Sequence, residues 1–336
     1  MGQGPVRWGI LGTASITRRR FLPALAKSEK SRAVAIGSRE LARAQEFARE
    51  FDIPRPYGSY QEVLDDPEIE CIYIPLPNHM HAEWTMRAAD AGKHVLCEKP
   101  MAVDAVEATE MVAHCARRRV ILMEGFMYRL NPRTKMIREV IDSGLIGDVR
   151  AVVAQFAFNI GSRANSRLIP GKGAGSLMDV GCYCINFCRF AMDAEPEWVM
   201  AHQRLDDEVG CDMTTSALLG FSGGRTALVN CSFETAFRSS IDVAGAAGVL
   251  RAERFFTPPE TGRIGFVVET HDGQVRTFET DAVNQFLVET DHFADCVRGR
   301  TSVFLDPAAD AVGNARAIEA VRESAGTLCR VEIGPA

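Results

Sequence analysis

No stretch of this chain runs for the roughly 18 apolar residues that a membrane-spanning helix needs. The start, Met1-Gly2-Gln3-Gly4-Pro5, lacks the basic-then-apolar layout of a secretion signal. The expectation is a cytoplasmic protein with no membrane partner. Surplus positive charge is also missing: 38 Lys and Arg stand against 44 Asp and Glu, a formal net charge of −6, which argues against a general nucleic-acid surface. The runs Arg18-Arg19-Arg20 and Arg117-Arg118-Arg119 are too short for a polybasic tail, and the second suits the negative end of a helix dipole. Ten cysteines are present, but none show the paired C-x₂-C spacing of zinc sites. Cys71 and Cys97 sit inside apolar runs as small hydrophobes, and the one cluster, Cys182, Cys184 and Cys188, has no nearby histidine, so no metal is expected.

What is there is ordinary globular composition, 46% hydrophobic and 24% charged over 336 residues, a length that suits two domains. The first 125 residues alternate short apolar runs, Val6–Leu11, Ala33–Gly37, Cys71–Leu76, His94–Cys97 and Val120–Met123, with amphipathic segments near 40–50, 79–91 and 104–118. Such a βαβ series predicts a parallel sheet with right-handed crossovers. After Gly125 the pattern changes. A helix at about 132–143 leads to a long strand at about 148–158, a loop rich in Gly, Ser and Asn, and a helix at about 176–192. Beyond Pro196 come successive strands with turns at Ser222-Gly223-Gly224 and His271-Asp272-Gly273, which favour an antiparallel sheet. Helices at about 284–298 and 307–325 close the chain. The predicted fold is therefore α/β: a Rossmann dinucleotide-binding domain over 1–125, and an α+β domain over 126–336 with a large, mostly antiparallel open sheet, its C-terminal helix packing back on the first domain.

Gly12, Thr13, Ala14, Ser15 and Ile16 lie where the first strand turns into the first helix. Small residues there let backbone N–H groups and the helix N-terminus approach a pyrophosphate. The glycine fingerprint is incomplete, since Ala14 and Thr17 stand at two of its positions. At the end of the second strand, Ser38 and Arg39 stand where an NAD site usually carries an acid. A hydroxyl and a guanidinium there suit a 2′-phosphate, with Arg43 one helical turn on, so the cofactor expected is NADP(H). Arg19 and Arg20 are within reach of phosphate or are simply solvated.

Downstream, the apolar strand His94–Cys97 runs into Glu98-Lys99-Pro100. The carboxyl ends of parallel strands open onto the ligand crevice, which points Lys99 toward the nicotinamide. Farther on, Gly173-Ala174-Gly175-Ser176-Leu177-Met178-Asp179-Val180-Gly181-Cys182-Tyr183 sets a carboxylate and a phenol four residues apart at a helix start, on one face. Oxidising an alcohol requires a base within hydrogen-bond reach of its hydroxyl as hydride leaves. A phenol with a pKa of about 10 serves only when a neighbouring ammonium favours the phenolate.

These residues together resemble the glucose–fructose oxidoreductase, inositol dehydrogenase and rhizopine catabolism (Gfo/Idh/MocA) family of sugar oxidoreductases. The resemblance runs through the glycine turn, Glu98-Lys99-Pro100, the junction from Gly125 to Pro132, and Asp179-x₃-Tyr183. It implies Lys99 and Tyr183 as a proton-transfer pair, with Asp179 binding a substrate hydroxyl or orienting the lysine. It also implies that Pro75, Leu76 and Asn78 pass the cofactor ribose and pyrophosphate, with His81 and Glu98 beside them. Tyr128, Arg129 and Asn131 stand where relatives reach the nicotinamide or substrate, and Arg167 closes over the site; each also has a plain packing or solvation role open to it. His79 and His81 read as helix-start and packing residues ahead of bases. The substrate implied is a sugar or ketosugar, and the assembly a homodimer or homotetramer through the C-terminal sheet. Two further readings fit the same pattern: a trans-dihydrodiol dehydrogenase and a non-catalytic NADP-sensing regulator.

Overall fold

Six short, mostly apolar runs form a parallel sheet, as strands covered on both faces by helices must. In chain order the elements are β1 (Val6–Leu11), a π-helical turn over Thr17–Phe21 entering α1 (Leu22–Leu25), β2 (Ser31–Gly37), α2 (Leu41–Glu50) and β3 (Arg55–Tyr57). They continue with α3 (Tyr60–Asp65), β4 (Cys71–Ile74), α4 (His81–Asp90), β5 (His94–Cys97), α5 (Ala105–Arg118) and β6 (Leu122–Glu124). The strand order is β3-β2-β1-β4-β5-β6, with every pair parallel. The order reverses direction between β1 and β4, and in such sheets the crevice beyond the carboxyl ends at that point takes the ligand. The helices show why they form: α2 buries Ala44, Phe47 and Ala48 on one stripe, and α5 carries Arg117 and Arg118 in its last turn.

The rest of the chain adds α6 (Pro132–Asp142), β7 (Val149–Ala157), a π turn over Leu177–Gly181 entering α7 (Cys182–Met192), β8 (Trp198–Leu205), β9 (Asp212–Phe221) and β10 (Arg225–Ser232). Then follow β11 (Arg238–Gly245), β12 (Gly248–Glu253), β13 (Arg263–Thr270), β14 (Val275–Asp281), α8 (Gln285–Val297), α9 (Pro307–Thr327) and β15 (Val331–Glu332). Nine strands make one sheet, in the order β14-β13-β12-β11-β7-β10-β9-β8-β15. All its pairs are antiparallel except β7 with β10. Inward residues of β7 alternate with outward ones, Val152, Ala154 and Phe156 being buried, and α7 lies along that face.

This computed structural model describes residues 4–171, 173–303 and 306–334, so Met1–Gln3 of the chain start lie outside it. Contacts divide the chain into two units, residues 1–102, 106–127 and 284–311 in the first and 103–105, 128–283 and 312–336 in the second. The segment that rejoins the first unit is thus centred on α8. The reason is packing and charge: Phe293 of α8 meets the Trp8 ring at 5.2 Å, Lys30 pairs with Asp295 at 2.6 Å, and Arg298 pairs with Glu70 at 2.8 Å. Most of α9 belongs to the second unit, where Ala317, Ile318 and Val321 are buried. Among the described residues no helix is long and apolar enough to cross a membrane.

Candidate active site

In the first unit, β1 ends at Gly12, whose N–H donates to the Gly37 carbonyl at 2.8 Å. Its φ of +105° belongs to glycine, and a Cβ there would stand 3.0 Å from Leu76 Cδ2 of the loop after β4. That leaves bare backbone at the switch point. Thr13, Ala14 and Ile16 are half-buried and Ser15 exposed at the start of the helix, the kind of helix N-terminus whose first N–H groups lack intrahelical partners. Of the basic run, Arg18 turns back to pair with Glu46 and Glu50 and lies over the Phe47 ring, while Arg19 and Arg20 are exposed.

At the end of β2, Ser38 is buried and its N–H donates to Tyr57 O at 3.2 Å. Arg39 and Arg43 are exposed. The structure brings both together at a residue the sequence reading passed over, Tyr60 at the start of α3. Burial pushes this phenol upward, and the Arg39 and Arg43 charges oppose that push.

The loops after β4 and β5 are tied by His81, which has no exposed surface. Its Nε2 lies 2.8 Å from Leu76 O and its Nδ1 3.0 Å from Pro100 O. A neutral imidazole donates to only one of these carbonyls, and burial holds the ring neutral, its pKa down at about 4. With both nitrogens spent on backbone, His81 fastens the two loops. Pro75 and Leu76 are buried above it, and Asn78 opens a short 3₁₀ turn. Lys99 and Glu98 are half-buried, on a loop held by Glu98 N–H to Ile74 O at 3.1 Å and Met101 N–H to Glu124 Oε1 at 2.7 Å; the Lys99–Pro100 peptide is cis. The Tyr73 hydroxyl donates to Glu98 Oε1 at 2.6 Å. Beneath lies a second missed group, Glu289 of α8. It is 1% exposed, with neither carboxylate oxygen hydrogen-bonded, and burial, reinforced by the Glu98 charge, pushes its pKa well above the carboxylate range.

In the second unit, Asp179 and Tyr183 do lie at a helix start, but Asp179 falls within a π turn, where Cys182 N–H returns to Leu177 O. The wider turn departs from the α spacing expected between them, and single π turns recur at functional sites. Arg167 Nε donates to Asp179 Oδ2 at 2.7 Å. The Tyr183 ring, 5% exposed, is packed among Phe156 and Phe256, each at 5.5 Å, and Tyr128 at 5.9 Å. Tyr128 itself donates to Asn186 Oδ1 at 2.5 Å. Arg129 stacks on Phe190 at 4.1 Å, and Asn131 caps α6 by accepting from Arg133 N–H at 2.9 Å, so both are engaged in packing within this unit.

The third group missed is Asp212, which holds the helix start from β9. Its Oδ2 accepts from Ser176 Oγ at 2.7 Å, Leu177 N–H at 2.7 Å and Thr215 Oγ1 at 2.9 Å. Gly175, at φ +97°, is required beside it because a Cβ would run into that carboxylate. The clustered thiols Cys182, Cys184 and Cys188 are buried and form no disulfide among the described residues.

Comparison with known proteins agrees along the whole chain. Residues 6–126 match the oxidoreductase family with an NAD-binding Rossmann fold, and residues 134–251 match the GFO/IDH/MocA C-terminal domain. The chain is 38% identical to D-xylose 1-dehydrogenase (NADP(+)) 2 of Haloferax volcanii, over 97% of this chain and 99% of that one. It is 33% identical to the trans-1,2-dihydrobenzene-1,2-diol dehydrogenase of Mus musculus, over 96% and 97%. Its backbone superposes on a 3-ketoreductase from Actinomadura kijaniata, crystallised with NADP and TDP-benzene, with a TM-score of 0.90 at 32% identity, covering 96% of this chain and 98% of that one.

Proposed function

The chain belongs to the Gfo/Idh/MocA oxidoreductase family, and we propose that it is an NADP(H)-dependent member that moves a hydride to or from a carbinol carbon of a sugar or ketosugar. The observation that carries this reading is the end of β2, where Ser38, Arg39 and Arg43 follow Gly37, whose carbonyl accepts from the Gly12 N–H of the glycine turn at 2.8 Å. It occurs in a chain whose full-length relatives include an NADP-dependent xylose dehydrogenase. Gly12, Thr13, Ala14, Ser15 and Ile16 would hold the pyrophosphate, and Ser38, Arg39 and Arg43 the 2′-phosphate. Pro75, Leu76 and Asn78 would border the ribose, with Glu98 and Lys99 at the nicotinamide end. The bare backbone at Gly12 fits such a group, because any side chain there would meet Leu76.

Bound nicotinamide supplies the hydride acceptor or donor, and the protein's own task is the proton. In oxidation Tyr183 accepts the hydroxyl proton, with the Lys99 ammonium stabilising the phenolate; in reduction the same pair donates a proton to the developing alkoxide. Asp179, paired with Arg167, accepts a hydrogen bond from a substrate hydroxyl. Lysine and tyrosine are also the residue types replaced in variant structures of the Actinomadura 3-ketoreductase. Nine buried cysteines that form no disulfide among the described residues suit a reducing, cytoplasmic compartment. Purified protein should change NADPH fluorescence on binding and turn over in a screen of aldoses, ketosugars and nucleotide ketosugars.

The phenyl rings around Tyr183 favour a second reading, a trans-dihydrodiol dehydrogenase acting on an apolar ring. Turnover of a cyclic dihydrodiol with none on sugars would select it. Tight NADPH binding with no turnover of either class would leave the chain a cofactor-sensing regulator.

A further inference from the structure

We propose that Arg167 is a specificity-determining residue: its guanidinium and the Asp179 carboxylate together read two oxygens on adjacent carbons, so the enzyme selects a vicinal diol or hydroxyketone over a lone alcohol. The assignment rests on the reading above that Asp179 accepts from a substrate hydroxyl.

The two residues are joined through side chain and backbone alike. Arg167 Nε donates to Asp179 Oδ2 at 2.7 Å. Their backbones meet on one residue, Gly175, whose N–H donates to Arg167 O at 3.0 Å and whose carbonyl accepts from Asp179 N–H at 3.2 Å. Gly175 is itself wedged against the Asp212 carboxylate, which also holds Leu177 N–H. On its other side Arg167 N–H donates to Asn165 Oδ1 at 3.1 Å, and the next residue, Leu168, is 1% exposed. A surface ion pair contributes little to stability and is ordinarily loose. Here an arginine whose side chain is 47% exposed has both polar groups of its backbone fastened and its side chain anchored as well. Such ordering of an exposed side chain costs conformational freedom, and a ligand that finds the guanidinium already in place binds more tightly for it.

The chemistry follows from the hydrogen-bond inventory. The bond to Asp179 engages Nε, one of five N–H donors on the planar fork, and the exposed side of that fork stands beside the carboxylate. A carboxylate only accepts and a guanidinium only donates, so side by side they match one O–H that donates and a neighbouring oxygen that accepts. Two oxygens on adjacent carbons supply that pair. A lone alcohol fills the carboxylate and leaves the guanidinium to water. Sites built to bond a particular oxygen discriminate against analogues that lack it. Sugars and cyclic dihydrodiols both carry the motif, so the assignment holds under either reading of the substrate given above.

The test is ligand-observed NMR titration of the purified full chain, loaded with NADPH so that alcohols bind without turnover. The probes are trans-cyclohexane-1,2-diol and cyclohexanol, and the proteins are wild type, Arg167→Gln, Arg167→Lys, Asp179→Asn and the double variant Asp179→Asn/Arg167→Gln. Because the pair is half-exposed, Arg167→Gln should leave the melting curve nearly unchanged. Wild type should prefer the diol. Arg167→Gln should weaken the diol about 5- to 30-fold, the range of one hydrogen bond to a partly solvated charge, and leave cyclohexanol within about twofold. Arg167→Lys keeps the charge without the fork and should recover part of the loss. In the Asp179→Asn background the guanidinium has lost its anchor, and the further effect of Arg167→Gln should shrink to less than about twofold. A merely structural role for Arg167 would weaken both probes alike. That result, an unweakened diol, an undiminished loss in the double variant, or a wild type without preference for the diol, including one that binds neither probe, would each overturn the assignment. Failure of the parent reading looks different: Asp179→Asn would then leave both probes bound as in wild type, whereas the assignment alone fails when Asp179→Asn weakens both and Arg167→Gln spares the diol.

Discussion

Tyr183 is a phenol surrounded by three other rings, an environment that costs a phenolate dearly unless a cation attends it. Hence the proposed dependence on Lys99. Tyr183→Phe removes only the hydroxyl and Lys99→Met only the charge, so both should fold and bind NADPH nearly as wild type does. Each should lower kcat by about 10²- to 10⁴-fold, the usual worth of a general acid–base group. In wild type the oxidative rate should rise with pH through an apparent value belonging to the pair, and Lys99→Met should move that limb toward alkaline pH. Near-normal kcat in Tyr183→Phe with the limb unmoved would send the proton elsewhere. Glu289 poses the opposite question, since a carboxyl buried with no hydrogen-bond partner and pushed well upward stays neutral where its unfolded counterpart is charged. A group raised in the folded state withdraws stability as pH climbs from its unfolded value, about 4.3, toward its folded one. Glu289→Gln removes that dependence. Relative to wild type, the variant should gain up to about 1.4 kcal/mol per pH unit across the window and nothing below it. Urea unfolding at pH 4 and pH 8 checks this, and parallel stability curves would show that Glu289 is ionised and solvated.

At the scale of elements, the start of the Leu177–Met192 helix hangs on one carboxylate from another strand. Asp212→Ala would strand the Ser176 hydroxyl, the Leu177 N–H and the Thr215 hydroxyl and should cost about 2–4 kcal/mol. Because Asp179 and Tyr183 ride on that helix while the glycine turn belongs to the first unit, kcat should drop with NADPH affinity retained. Loss of both together would mean that Asp212 holds up the whole chain. None of this was legible in the sequence. Asp212 is only a charged residue beyond the Gly210 turn, and its partners Ser176 and Leu177 lie 35 or 36 positions away. Glu289 and Tyr60 were hidden in the same way, as polar members of helices whose burial depends on distant strands. By contrast, β1 and β5 were read to the residue, because unbroken apolar runs bounded by turn residues carry their own boundaries. Strand β3, three half-buried residues with a central proline, carries no such signal and was missed. Both π turns were also invisible, since their Thr17–Phe21 and Leu177–Gly181 sequences differ in no local way from α-helix. Lys99, Asp179 and Tyr183 were proposed from Glu-Lys-Pro and Asp-x₃-Tyr, short local signatures that need no distant partner to be seen.

For the whole molecule, the decisive asymmetry is that α7 covers one face of the nine-stranded sheet while the other carries an apolar stripe. Met200, Leu218, Leu228 and Val153 stand in cross-strand register on β8, β9, β10 and β7, with Met200 48% and Leu228 52% exposed in the single chain. An antiparallel sheet facing water on that side would alternate to polar residues there. Instead four neighbouring strands offer apolar side chains, flanked on β11 and β12 by Asp242 and Arg251. We propose that a second copy of the chain covers this stripe, as the expected homodimer or homotetramer through the sheet requires. Under twofold symmetry every residue of the stripe is buried twice, so a single substitution is felt twice. Burying one leucine contributes about 2 kcal/mol, whereas Leu228→Glu would place two carboxylates against apolar surface, each costing several kcal/mol more. Leu228→Glu should therefore run as a folded monomer in size exclusion with light scattering at micromolar concentration, and Leu228→Met should keep the wild-type mass. The residue is exposed in the single chain, so the monomer's melting curve should differ only by what assembly contributed. A wild type already monomeric, or a Leu228→Glu variant of unchanged mass, would place the contact elsewhere and leave the stripe facing water.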